Sequence, residues 1–143
     1  MTVEIKRVYE PASRTDGVRL LVDRLWPRGL AKASAALDEW LRDLAPSDEL
    51  RHWFHARPDN WQNFRKKYLK ELSQPEAEDS LLRLYQLSRK RKRLTLLFAS
   101  KNETHNNAVV LKELLDGMRK PPTGTGPGAV YGMRHREAAV RRR

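Results

Sequence analysis

Residues 16–29, Asp-Gly-Val-Arg-Leu-Leu-Val-Asp-Arg-Leu-Trp-Pro-Arg-Gly, constrain the fold more than any other stretch of the chain. A short apolar run, Leu20-Leu21-Val22, stops at Asp23-Arg24 and is followed by Trp26-Pro27-Arg28-Gly29. A continuous apolar run bounded by turn residues predicts a buried strand. Charged and aromatic residues crowded at the exit of a buried strand occupy the position where α/β proteins place ligand sites. The segment therefore marks a candidate site without naming its chemistry.

The flanking sequence places this strand among others. Residues 3–9 alternate, Val3 and Ile5 against Glu4 and Lys6, and predict a strand. Residues 19–23 form the second. Ser34 is placed to cap a helix carrying Leu37, Trp40, Leu41 and Leu44 at i, i+3, i+4 and i+7. Ser47 opens another helical segment, with Leu50, Trp53 and Phe54 on one face. Asp59 and Gln62 have capping-box spacing for a helix carrying Trp61, Phe64, Tyr68 and Leu72. Pro75 suits the first turn of the next helix, which runs to Arg89–Arg93. Leu94-Thr-Leu-Leu-Phe-Ala99 is a third strand, apolar enough to be buried on both faces. Thr104 is placed to cap the last helix. Together these elements predict an α/β fold: a small, mostly parallel sheet of three or four strands, with strands near both ends of the domain and a helical insert between them. The short link between the first two strands leaves two arrangements, an antiparallel pair or a compact turn at Pro11–Gly17 in place of a crossover helix.

Charge is unevenly spread. The net charge is +11, and residues 117–143 hold seven Lys or Arg against one Glu. That segment is also rich in Gly and Pro, which predicts a single α/β domain over 1–116 and a basic, disordered tail over 117–143. There is no cysteine, which removes disulfides, thiolate metal sites and thiol nucleophiles. No apolar run approaches membrane-spanning length, no signal-peptide pattern opens the chain, and a cytoplasmic location is expected.

The stretches Lys6-Arg-Val-Tyr9, Asp16-Gly17, Leu21-Val-Asp-Arg-Leu-Trp-Pro-Arg-Gly29, Asp38-Glu-Trp40, Leu44-Ala-Pro-Ser47 and Leu94-Thr-Leu-Leu97 followed by Lys101-Asn102 resemble the YeaO-like branch of the family called domain of unknown function 488. The resemblance spans residues 2–116. It implies a small bacterial α/β protein without an established activity. Some members of that family carry the label of transcriptional regulator. A winged-helix regulator needs a helix-turn-helix, and buried strands at both ends of the domain argue against one here.

With the second and third strands parallel, Asp23-Arg24 and Ser100-Lys101-Asn102 leave the same sheet edge, and the last helix is expected to open beside them at residues 103–105. Arg24, Arg28 and Lys101 near that helix start suit a phosphate- or carboxylate-bearing ligand, with Trp26 and Asn102 as further binding residues. The residues suit binding alone, or an enzyme in which Asp23 and His105 move protons. The same charges also suit an internal ion-pair network of Arg19, Asp23, Arg24 and Arg28 that locks the sheet edge. Trp26 suits the core equally, Asp16-Gly17 and Gly29 suit turns, and Asn102 suits a cap. His52 and His55 share a helix face but lack a third ligand, so no metal is expected. No GxGxxG or P-loop pattern occurs, and no cofactor is expected. A strand ending in Val-Asp-Arg, with a later strand leading by a loop into a helix, resembles rhodanese-type and related phosphatase layouts. Those place a reactive cysteine in the loop that here holds Ser100-Lys101-Asn102, so sulfur transfer and cysteine-phosphatase chemistry are excluded. The alternative class is nucleic-acid binding, through Arg89, Lys90, Arg91, Lys92 and Arg93 and the basic tail.

Overall fold

The computed structural model describes residues 2–91 and 93–122. Four strands form one parallel sheet: β1 (Thr2–Arg7), β2 (Val18–Leu21), β3 (Glu39–Trp40) and β4 (Arg93–Phe98), in the order β1-β4-β2-β3. Every pairing is parallel. The helices are α1 (Lys32–Ala35), α2 (Asp48–Ala56), α3 (Trp61–Leu72), α4 (Pro75–Lys90) and α5 (Asn107–Gly117). The α/β fold with a helical insert is as expected, and the sheet has four strands rather than three.

The central strand shows why the sheet holds. Leu94 to Phe98 of β4 are all buried. Leu94, Leu96 and Phe98 join Val3, Leu20 and Val22 in a core capped by the helices, with Leu84, Leu111 and Tyr68 among the partners. Leu97 and Leu21 point the other way and meet Val8, Trp26, Leu30, Leu37 and Trp40 in a smaller cluster. This is the period-two alternation of a strand between two apolar layers. The second layer is not helical. It is the long link from β2 to β3, with the four-residue α1 inside it.

The link between β1 and β2 is the compact alternative. The two strands are not neighbours, because β4 lies between them. A 3-10 turn at Arg14–Asp16 takes the place of a crossover helix, closed by a capping box in which Ser13 and Asp16 satisfy each other's backbone. Gly17 follows with φ +66°, and a Cβ there would stand 2.3 Å from the Arg93 carbonyl oxygen. Only glycine fits.

Three local expectations are corrected. The helix expected from Ser34 through Leu44 is broken. Ala36 turns left-handed at φ 48°, Asp38 accepts the Arg19 N–H at 2.8 Å, and Glu39–Trp40 pairs with β2. Leu41 then donates its N–H to Leu21 O at 2.8 Å and enters the main core, while Trp40 enters the small cluster. Asp59 does not cap α3, whose N-cap is Asn60 without a side-chain bond. Thr104 does not cap α5. Asn106 does, its side chain accepting the Val109 N–H at 3.1 Å. Ser47 caps α2 and Pro75 opens α4, as expected. Residues 123–143, and with them most of the expected tail, lie outside the described residues.

Candidate functional site

Four segments leave the C-terminal edge of the sheet, one after each strand. Asp23 stands at the exit of β2. One carboxylate oxygen accepts the Ala99 N–H at 2.9 Å and the other the Asn107 side-chain amide at 3.0 Å. The same Asn107 amide donates to Val22 O at 2.8 Å, and Trp40 Nε1 donates to Asp23 O at 2.7 Å. Asp23 therefore ties the exits of β2 and β4 to the start of α5. Burial pushes its carboxyl above the ordinary value, against the Asn107 amide, the Ala99 N–H and the charge of Arg51.

Arg24 turns toward the loop before α2. Its Nε and Nη2 donate to Pro46 O and Ala45 O, at 3.3 and 3.2 Å. Trp26 lies edge-on to Trp40 with ring centroids 5.4 Å apart, and its Nε1 donates to Leu30 O at 2.7 Å. That places Trp26 in the small cluster, holding the β2–β3 link to the sheet. Gly29 has φ +74°, the turn that lets this link double back.

Arg28 and Lys101 are different. Both are exposed, and neither side chain makes a hydrogen bond or ion pair with the described residues. Two side chains at the end of β1 fix the loops that carry them. Tyr9 donates its hydroxyl hydrogen to Arg28 O at 2.9 Å. Arg7 donates to Ala99 O and Ser100 O, both at 2.9 Å, next to Lys101, and its guanidinium lies over the Tyr9 ring at 5.0 Å. Sequence reasoning missed Arg7 and Tyr9 as site residues. Their position, at and just past the end of a strand, was the available signal.

Asn102 organises its own loop. Its side-chain oxygen accepts the Thr104 and His105 N–H groups at 3.0 and 2.9 Å, and its carbonyl accepts from Asn106 at 2.8 Å. His105 precedes α5 rather than standing in its first turn. Its ring stacks on Trp61, centroids 4.5 Å apart at 10°. Asp23 and His105 share no hydrogen bond.

The expected ion-pair network of Arg19, Asp23, Arg24 and Arg28 does not form among the described residues, and Arg19 belongs to a different one. Arg19 is 4% exposed and pairs with Asp16, 6% exposed, which also pairs with Lys6 at 3.1 Å. Arg19 donates further to Ala35 O and Ala36 O, at 2.8 and 3.0 Å. Asp23, Arg24 and Arg28 stand outside it. Burial would lift the Asp16 carboxyl, but the Ser13 N–H, Lys6 and Arg19 outweigh it and hold the group below its ordinary value.

The basic run lies at the opposite end of the sheet, where β4 begins. Arg89 donates to Met118 O at 2.8 Å and lies over Tyr85. Arg93 reaches Thr15 O at 3.5 Å. Lys90 and Arg91 are exposed, and Lys92 lies outside the described residues. His52 and His55 are exposed on α2, and among the described residues no group of three His, Asp or Glu side chains could hold a metal ion. A groove of about 580 Å³ between α2 and α3, lined by Ser47, Trp53, Lys67 and Glu71 among others, carries none of the sequence-predicted site residues. No helix among the described residues is long and apolar enough to cross a membrane.

The chain is 49% identical over 115 residues to the uncharacterized protein YeaO of Escherichia coli, covering 80% of this chain and 97% of that one. It is 37% identical over 115 residues to an uncharacterized protein of Mycobacterium tuberculosis and to one of Mycobacterium bovis, in each case over 80% of this chain and 94% of the other. No solved structure matches the chain significantly. A family model described as the inactive DUF488-N3 subclade matches residues 2–123, the whole span of the described sheet and helices, and the chain belongs to that family.

Proposed function

We propose that the C-terminal edge of the sheet binds a small anion, a phosphate or carboxylate group, through Arg28 and Lys101, and does not turn it over. One observation carries the reading: two exposed cations without partners among the described residues stand on loops that Tyr9 and Arg7 hold to the end of one strand. An unpaired guanidinium and an ammonium are the side chains suited to anionic oxygens. Two further observations favour binding over catalysis. Asp23 has both oxygens committed to neutral donors, and His105 is stacked on Trp61 without a bond to Asp23. The family's description as inactive agrees with this. Asp23 and Asn102 then act as positioning residues for the loops, Trp26 holds the β2–β3 link, and Arg24 serves that frame rather than the ligand.

The test is a titration of the full chain with inorganic phosphate and ribose 5-phosphate at low ionic strength, followed by amide chemical shifts. Saturable shifts at residues 28 and 101 are expected. Arg28→Ala and Lys101→Ala should each weaken binding about fivefold, since an exposed charged contact contributes on the order of 1 kcal/mol. Shifts that do not saturate, or that survive both substitutions, would reject the reading. So would release of free phosphate from ribose 5-phosphate, which would show turnover.

A further inference from the structure

We propose that the ligand of this edge carries a flat aromatic ring beside its anion, as a nucleoside monophosphate does, and that Tyr9 is the stacking surface for the ring. The inference rests on the anion site proposed above and specifies its ligand class.

Among the described residues two large apolar side chains are exposed, Tyr9 at 40% and Leu25 at 59%. Scattered single exposures need no explanation. These two share a location. Tyr9 follows β1 and Leu25 follows β2, so both lie at the edge that presents Arg28 and Lys101. Tyr9 is also fixed. Its hydroxyl is anchored on Arg28 O, and Arg7 lies over the ring. Arg7 is itself held by two carbonyl bonds to residues 99 and 100. A ring immobilised in the free protein binds a partner ring with little further loss of rotamer freedom. With Arg7 over it, the ring still keeps its exposure. Its hydroxyl end meets the backbone carbonyl of Arg28, whose side chain has no partner among the described residues. An anion on Arg28 and Lys101 with a ring on Tyr9 uses both the cations and the fixed ring. A bare phosphate or sugar phosphate leaves Tyr9 in water.

The shared chemistry, a ring next to a phosphate, occurs in free nucleotides and in single-stranded nucleic acid. The full chain is therefore titrated with adenosine 5′-monophosphate, ribose 5-phosphate and a five-nucleotide single strand. Base–aromatic stacking predicts that adenosine monophosphate binds about tenfold more tightly than ribose 5-phosphate. This comparison needs no variant. Tyr9→Ala should remove that advantage and bring the two ligands to equal affinity, whereas Tyr9→Phe, which loses the bond to Arg28 O but keeps the ring, should weaken both ligands alike and retain the advantage. A strand that binds more tightly than the mononucleotide and loses that gain in Tyr9→Ala supports the same ring contact and assigns its source to nucleic acid. Equal affinity for adenosine monophosphate and ribose 5-phosphate overturns the inference while leaving the anion site standing. So does equal weakening of both in Tyr9→Ala, which would make Tyr9 a loop anchor only. Failure of all three ligands and of inorganic phosphate overturns the anion site itself, and the inference with it.

Discussion

Asp16 and Arg19 carry the largest electrostatic stake in the fold. Both are buried, Asp16 in the turn before β2 and Arg19 on β2, and Arg19 gives further donors to two carbonyls of the β2–β3 link. Replacing Asp16 by Asn leaves a buried guanidinium without its closest counter-charge. The expected loss is about 3–5 kcal/mol of unfolding free energy, read by urea denaturation at neutral pH. Acid should act in the same direction. The folded-state value of Asp16 lies below its ordinary 3.8, so its contribution is complete above that value and is lost as pH falls through the lower folded one. Asp23 is the reverse case. Burial raises its folded value above 3.8, so the folded chain holds that proton more tightly than the unfolded chain. The corresponding increment is present at acid pH and disappears as pH rises through the raised value. Carboxyl carbon shifts followed by NMR should show Asp16 titrating below 3.8 and Asp23 above it. The reverse order would mean that burial is not the dominant influence on Asp23. The importance of Asp23 was legible as a carboxylate at a strand exit. Its role was not, because its partners, Ala99 and Asn107, arrive from more than 70 residues away.

Strands and helices divide by how local their causes are. β2, β4 and α4 were legible because apolar runs and a proline at the first turn act within a few residues. The α1–β3 region was not. Leu37, Trp40, Leu41 and Leu44 have helical spacing, yet Trp40 and Leu41 serve opposite faces of the sheet, and the Arg19–Asp38 contact draws the segment out as an edge strand. Two periods can share four residues, and a distant partner decides between them. The cap of α5 failed for a similar reason. Asn102 captures the Thr104 and His105 amides first, so the helix starts at the next free asparagine. The 3-10 turn after β1 rests on one residue. Gly17→Ala must place a methyl group against the Arg93 carbonyl in a left-handed backbone, and should destabilise the protein by roughly 2 kcal/mol or more. Thermal unfolding measures it, and a loss below about 0.5 kcal/mol would show that the turn relaxes at little cost.

Among the described residues, the cations of the proposed anion edge and those of the basic run lie at opposite ends of the sheet. Lys101 follows the last residue of β4, and Arg91 and Arg93 lie at its first. Substitution at one end should leave the other untouched. Lys90→Ala with Arg91→Ala, both exposed, should not change the phosphate binding proposed for the far edge, and any change they cause in affinity for nucleic acid should shrink steeply with added salt. A loss of phosphate binding in that double variant would place the anion at the wrong end of the molecule. The strand order has a different consequence. β4, made last, lies between β1 and β2, made first. During vectorial synthesis the early segments have no long neighbour to pair with, since β2 can find only the two residues of β3. The nascent chain therefore waits, its apolar segments uncovered, until residue 98 has cleared the ribosomal exit, and it is in that interval that a cell would have to protect it.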